Sequence, residues 1–243
     1  MTNTALITGA NKGLGHEAAR RLGELGWTVF LGSRDVGRGE QAVAKLRAGG
    51  ADVVLVPLDV TSDESVAAAV ALVTARTGGL DVLINNAGFG GHAIPPADAT
   101  AAELHAVYDA NVYGPVRVTN GFLPLLRSSS HPRVVNVSSG GGSFAVITDP
   151  AQPVAKMHEL AYSSSKAALN MITVRYAQAI PEVKFNAVTP GETANHKFAA
   201  TDMNRNTGAL TVTEGTDAIL RLALIGPDGP TGTFEDRLGP LAW

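Results

Sequence analysis

Short apolar runs alternate along the chain with stretches whose apolar residues recur every three or four positions. Thr4–Ile7, Thr28–Leu31, Val53–Val56, Val82–Asn85, Val134–Val137, Phe185–Val188 and Thr233–Phe234 read as strands. Several are apolar at nearly every position, the pattern of strands covered on both faces. Between the first two, Leu14, Ala18, Leu22 and Leu25 fall at helical spacing. Thr61-Ser-Asp-Glu64, Thr100-Ala-Ala-Glu103 and Thr211-Val-Thr-Glu214 each have the form of a capping box at a helix start. The repeated order strand, helix, strand predicts an α/β fold. Its expected form is a doubly wound parallel sheet of about seven strands flanked by helices, with ligands at the carboxyl ends of the strands. No linker-like stretch divides the chain, so residues 1–243 are read as a single domain.

Composition removes several kinds of chemistry. Hydrophobic residues make up 45% and charged residues 17%, which suits a packed core. The formal net charge of -3 provides no global footprint for nucleic acid. The chain has no cysteine, which excludes thiolate catalysis, disulfides and Cys-ligated metal. His16, His92, His105, His131, His158 and His196 contain no pair at i,i+4, so no metal site is expected. Surface or packing roles are the default for each, with His92, His158 and His196 the candidates for a place near a cleft. No apolar run reaches membrane-spanning length, and a first strand at Thr4 leaves no room for a signal peptide. A soluble, cytoplasmic protein without membrane or nucleic-acid partners is the expectation.

Directly after the first strand, Thr8-Gly9-Ala10-Asn11-Lys12-Gly13-Leu14-Gly15 runs into a helix. Glycines let a backbone turn tightly and approach a phosphate, and a helix N-terminus adds N–H donors and partial positive charge. The G-x-x-x-G-x-G spacing differs from the G-x-G-x-x-G dinucleotide fingerprint, and a plain structural turn is the alternative. The second strand leads into Leu31-Gly32-Ser33-Arg34. NAD sites place an acid here for the ribose 2′-OH, whereas an Arg suits the 2′-phosphate of NADP. Arg34 together with Lys12 favours NADP, while Asp35 keeps a contact to the ribose hydroxyl open.

Further on, Tyr162-Ser-Ser-Ser-Lys166 lies on a helix predicted to begin near His158. Residues four apart share a helix face, and an ammonium beside a phenol favours the phenolate, so Tyr162 is expected to have a lowered pKa and to act as an acid/base. A bare Tyr-x-x-x-Lys also occurs as surface decoration. The fifth strand runs into Ser138-Ser139, where a serine can reach a substrate carbonyl or simply cap a turn. Asn85-Asn86-Ala87-Gly88 ends the fourth strand. Asn111, on an apolar helical stretch, needs a partner when buried and is either functional or structural.

Taken together, these residues resemble the short-chain dehydrogenase/reductase family over nearly the whole chain. The resemblance is carried by Thr8-Gly9-x-x-x-Gly13-x-Gly15, Asp59, Asn85-Asn86-Ala87-Gly88, Ser139, Tyr162-x-x-x-Lys166 and Pro190-Gly191. Within the family, Gly9-Ala-Asn-Lys-Gly-Leu-Gly15, Ser33-Arg34-Asp35, Thr201-Asp202-Met203, Glu214-Gly215 and Gly229-Pro-Thr-Gly-Thr-Phe234 look most like the NADPH-dependent carbonyl reductases. The resemblance implies a Rossmann-type sheet and NADP(H) as cofactor. By it, Tyr162 would protonate the carbonyl oxygen, and Lys166 would lower the Tyr162 pKa and bind the nicotinamide ribose. Ser139, rather than Ser138, would hold the carbonyl oxygen, and Asn111 would anchor a water linking Lys166 to solvent. Gly9, Asn11, Lys12, Gly13, Leu14 and Gly15 would hold the phosphate end and Arg34 the 2′-phosphate. Asp59 and Val60 would meet the adenine, Asn86, Ala87 and Gly88 the adenosine side, and Pro190 and Gly191 the nicotinamide.

Two departures from the family pattern stand out. Ser139 and Tyr162 are 23 positions apart, so Gly140 to Ala161 is expected to form an extra loop or short helix over the site. After Pro190-Gly191, nine residues precede Thr201, where relatives reach a threonine sooner; either Thr193 or Thr201 would fill the cofactor-contacting position. Residues 140–161 and 192–210 are therefore the expected substrate loops. The reading is NADPH-dependent reduction of an aldehyde or ketone, with a small-molecule carbonyl or alcohol as partner. An NAD-dependent dehydrogenase of secondary alcohols or hydroxysteroids, and a non-catalytic NADP-sensing protein, are the alternatives. Assembly is left open between a monomer and a homo-oligomer.

Overall fold

The computed structural model describes residues 2–92, 94–157, 159–193, 195–201 and 207–243. One sheet is built from β1 (Thr4–Ile7), β2 (Thr28–Ser33), β3 (Val53–Pro57), β4 (Val82–Asn85), β5 (Arg133–Val137) and β6 (Lys184–Val188). A separate hairpin joins β7 (Gly191–Glu192) to β8 (Lys197–Phe198), while β9 (Phe234–Asp236) and β10 (Gly239–Leu241) return to the main sheet. Its order is β3-β2-β1-β4-β5-β6-β9-β10, parallel throughout except for the β9–β10 pair. The sheet has eight strands, one more than expected. The added strand is Gly-Pro-Leu, too short and irregular for its sequence to announce.

Burial on both faces explains why the strand sequences are apolar at successive positions. Ala5 and Ile7 of β1, Val82 and Ile84 of β4, and Val135 and Val137 of β5 point to one side. There they meet α1 (Gly13–Glu24), α2 (Val36–Ala48) and, from the far end of the chain, α8 (Val212–Ala223). Leu6, Leu83 and Val134 point the other way, onto α3 (Asp63–Arg76) and α5 (Gly114–Arg127), with Phe122 and Phe185 at the centre of that core. Between α3 and α5 in sequence lies α4 (Ala101–Tyr108), and after β5 come a short α6 (Phe144–Ile147) and the long α7 (Leu160–Ala179). Among the described residues, no helix is long and apolar enough to cross a membrane.

Two of the three helix starts follow the capping pattern. Thr211 and Glu214 form the full reciprocal box of α8, and Thr100 accepts from Glu103 N at 3.3 Å to start α4. The α3 cap is Ser62 rather than Thr61. Asp59 Oδ1 draws both Thr61 N (3.0 Å) and Thr61 Oγ1 (2.7 Å) into its own turn, so the cap passes to the next residue.

Chain order decides where a ligand can enter. The chain walks outward from β1 to β3, then returns to place β4 on the other side of β1. The loops leaving β1 and β4 therefore part, opening a crevice at the carboxyl edge. Beside it, the Gly140–Gly142 turn after β5 packs directly on α7: a Cβ at Gly142 would lie 2.6 Å from the Lys166 carbonyl carbon and 2.9 Å from Ala167 N. Gly142→Ala is expected to cost roughly 1–3 kcal/mol in urea unfolding, the range for overpacking. An unchanged urea midpoint would show that the turn backs away from α7 freely.

Candidate active site

The ends of β1 and β4 are stapled together by side chains. Thr8 Oγ1 accepts from Asn86 N (3.0 Å) and Ala87 N (2.9 Å), while Asn86 Nδ2 donates to Thr8 O (2.9 Å) and Gly9 O (3.1 Å). Gly9 has φ +62°, and a Cβ on it would stand 2.9 Å from Ala87 Cα, so both conformation and contact require glycine. Gly13, at φ +58°, faces open space, whereas Gly15 is buried under the Asn86 amide. Asn11 and Leu14 are half-buried and Lys12 is exposed. No side chain caps the start of α1, in contrast to α2, α3, α4 and α8. A helix start of this kind, behind a glycine turn, suits an anion.

On the neighbouring strands, Arg34 is exposed at the end of β2. Asp35 is engaged elsewhere. Its Oδ1 caps α2 through Arg38 N (3.0 Å), and its Oδ2 pairs with Arg38 Nε at 3.4 Å. Arg38, in the first turn of α2, is a second guanidinium after β2 that sequence reading missed. Asp59 shapes the turn into α3, and Val60 is buried against Gly114, where an added Cβ would come within 2.9 Å of Val60 Cγ2.

At the end of β5 the two serines diverge. Ser138 turns inward, donating to Asn170 Oδ1 at 2.6 Å, and Ser139 stays half-buried in front of Tyr162, accepting from Gly141 N at 3.2 Å. The helix carrying Tyr162 starts at Leu160; His158 lies outside the described residues. Lys166 is 4% exposed, and its Nζ donates to Val137 O (2.8 Å) while lying 5.6 Å from the centroid of the Tyr162 ring. Asn111 is fully buried in a widened π-type turn, Asp109–Tyr113, between α4 and α5. It accepts from Phe89 N (2.7 Å) and donates to Phe89 O (2.9 Å) and Ser165 Oγ (3.0 Å), and Ser165 Oγ donates to Tyr162 O (2.6 Å). The amide thus ties the segment after Gly88 to the turn that presents Tyr162. Gly88 fits between: its Cβ would sit 3.4 Å from Asn111 Oδ1 and 3.7 Å from Lys166 Nζ.

Burial dominates the electrostatics of this pair. It pushes the Tyr162 phenol up to about 12; the Ser139 hydroxyl offsets part of the rise, and the Glu159 charge adds to it. It also pulls the Lys166 amine down to about 8. The lowered phenol expected from a nearby ammonium is therefore not what this structure has. The amine is engaged with a backbone carbonyl and lies over the ring face.

Past β6, Thr189 Oγ1 accepts from Gly140 N at 3.1 Å, joining the ends of β6 and β5. Pro190 is half-buried, and its carbonyl accepts from Ala199 N at 3.1 Å. The extra residues after Gly191 fold into the β7–β8 hairpin. Together with Gly140, Val146 and Val154 of the 140–161 segment, this hairpin lines a cleft, to which Thr193 contributes and Thr201 does not. His196 reaches across it, Nδ1 to Gln152 Oε1 at 3.1 Å, while His92 is exposed and pairs with Glu103 (3.3 Å). Asp202 and Met203 lie outside the described residues.

Residues 3–207 match the short chain dehydrogenase family. The chain belongs to that family. The dehydrogenase is 34% identical to a (+)-neomenthol dehydrogenase of Arabidopsis thaliana, over 96% of this chain and 95% of that protein. It is 32% identical to a salutaridine reductase of Papaver bracteatum, over 96% and 93% respectively. Among solved structures, an NADPH-bound carbonyl reductase from chicken fatty liver superposes with a TM-score of 0.86 at 29% identity, covering 100% of this chain and 99% of that one.

The buried lysine predicts a pH dependence of stability. Between about 8 and the ordinary 10.5, the unfolded dehydrogenase binds a proton on Lys166 that the folded one does not, so stability rises with pH across that window. From about pH 7.5 to 9.5 the rise is expected to be about 2 kcal/mol, read by urea unfolding, and Lys166→Met should abolish it. An identical slope in the variant would assign the effect elsewhere.

Proposed function

We propose that this dehydrogenase reduces aldehyde and ketone carbonyls with NADPH, Tyr162 supplying the proton. The observation that carries the reading is the meeting of Ser139 and Tyr162 beside the buried Lys166 amine at the carboxyl end of β5. NADP(H) is the cofactor, and the residues present fit it. The glycine turn and the start of α1 suit its pyrophosphate, and Lys12, Arg34 and Arg38 supply cations around the ends of β1 and β2 for the 2′-phosphate. Asp35, committed to α2, does not compete for the ribose. Asp59 and Val60 border the adenine, Asn86 to Gly88 the adenosine side, and Pro190 and Gly191 the nicotinamide. When bound, NADPH supplies the hydride.

The chain's own residues place and polarise the carbonyl. Ser139 Oγ donates to its oxygen, and Tyr162 donates the proton that the oxygen gains as the carbon is reduced. Burial raises the Tyr162 phenol, so it stays protonated at neutral pH and carries the proton that reduction needs. Lys166 lies under the phenol and holds the ribose side, and Asn111 and Ser165 keep the Tyr162 turn in register. Salutaridine reductase and the carbonyl reductase support the same direction by name, whereas the neomenthol dehydrogenase is named for the alcohol side.

Oxidation of NADPH and NADH with a panel of small aldehydes, ketones and quinones tests the reading. NADPH-dependent turnover is expected, falling about 10²- to 10⁴-fold in Tyr162→Phe while NADPH binding persists. Full activity in Tyr162→Phe would refute the role of the phenol. Faster NAD-dependent oxidation of secondary alcohols would replace the reductase by the alcohol dehydrogenase reading.

A further inference from the structure

The β7–β8 hairpin is too small to hold its own shape. It has two residues per strand and two register pairs, Gly191↔Phe198 and Glu192↔Lys197, and both residues of β8 are exposed. A two-stranded ribbon of this size needs outside anchors. On the β8 side Leu210 N donates to Phe198 O at 3.0 Å, and on the β7 side the anchors come from the turn between β9 and β10. Arg237 N donates to Gly191 O at 3.1 Å, and Asp236 Oδ2 accepts from Thr193 N at 2.7 Å. Asp236 is itself buried and fixed by Leu238 N (2.7 Å) and Gly239 N (3.2 Å).

Glu192 completes the attachment. This carboxylate is 3% exposed and accepts from the Arg237 guanidinium and from Asn195 Nδ2 (2.9 Å), with Lys197 Nζ at 3.5 Å. Arg237 in turn pairs with Asp217 Oδ2 (2.9 Å) on α8, and Asp217 Oδ1 with Arg21 (2.9 Å) on α1. A line of ion pairs therefore runs from the helix that starts at the glycine turn to the wall of the cleft. A buried carboxylate stripped of its guanidinium is strongly disfavoured, so loss of Arg237 drives Glu192, and the hairpin with it, toward water.

We propose that Glu192 and Arg237 are positioning residues that latch the hairpin as a fixed wall of the substrate cleft and thereby set the size of carbonyl compound admitted. The cleft between the hairpin and the 140–161 segment leaves about 20 Å³, room for about one water. A bulky substrate must move that wall, and the latch on Glu192 resists it. The size-selection half rests on the reductase reading above, and the latch itself does not.

The test uses the full chain with Glu192→Gln, Arg237→Met and the conservative Arg237→Lys. Two quantities are measured: amide hydrogen exchange of peptides spanning Pro190–Ala199, and kcat/KM with NADPH for benzaldehyde and benzophenone. In Glu192→Gln and Arg237→Met, hairpin exchange should accelerate about tenfold while that of β1, β4 and α7 is unchanged. The benzophenone-to-benzaldehyde ratio should rise about tenfold, through a lower KM for benzophenone, and Arg237→Lys should restore most of both effects. Unchanged hairpin exchange overturns the latch, and faster exchange with an unchanged ratio overturns its control of substrate size. If the unsubstituted protein turns over no carbonyl, the reductase reading fails, and exchange alone supports or overturns the latch.

Discussion

Lys166 carries a basic amine into a space where it is 4% exposed and donates to the carbonyl of Val137 at 2.8 Å. Removing an ammonium from water is costly unless a counter-charge or several acceptors replace the lost hydration, and here burial draws its pKa down to about 8. The surrounding structure is organised around that placement. β5 ends so that its last carbonyl faces the amine. The Gly140–Gly142 turn presses on the Lys166 backbone where no side chain fits. Gly88 leaves the approach to the Nζ clear, and Asn111 and Ser165 pin the preceding helical turn. The fold bears the buried lysine's penalty below about pH 8, a cost that makes sense for a group needed at a site.

The second organising feature is the split at the carboxyl edge. β1 and β4 lie side by side, but their loops run in opposite directions, and Thr8 and Asn86 stitch the strand ends across the split. A glycine turn and an uncapped helix start face outward on one side of the stitch. The serine, tyrosine and lysine gather at the end of the next strand, β5. The glycine turn and the start of α1 follow β1, and Ser139, Tyr162 and Lys166 meet near the end of β5, so the proposed dinucleotide and its substrate would both lie along the carboxyl edge.

Much of this was legible in the amino-acid sequence because it depends on local pattern. β1 and β4 begin and end where their apolar runs do, and the Thr211–Glu214 box opens α8. What escaped is long-range. The pairing of Gly239–Leu241 with β9 rests on the chain's return to the sheet. The burial of Glu192 depends on Arg237, 45 positions away. Asp35 was ambiguous until α2 was seen to take it as a cap, and Asn111 until Phe89 and Ser165 proved to be its partners. The Tyr162 phenol was misjudged for a related reason: helical spacing brings a lysine close, but only packing decides whether burial outweighs its charge.

The central claim is that a carbonyl carbon held at Ser139 and Tyr162 receives hydride from NADPH. Its most direct test is isotopic: NADPH carrying deuterium at the transferable position is incubated with the protein and an aldehyde, and the alcohol is examined by mass spectrometry and NMR. One deuterium on the carbinol carbon, from a single face of the nicotinamide, is the predicted result. An alcohol without deuterium at that carbon, the label remaining in the cofactor, would contradict it.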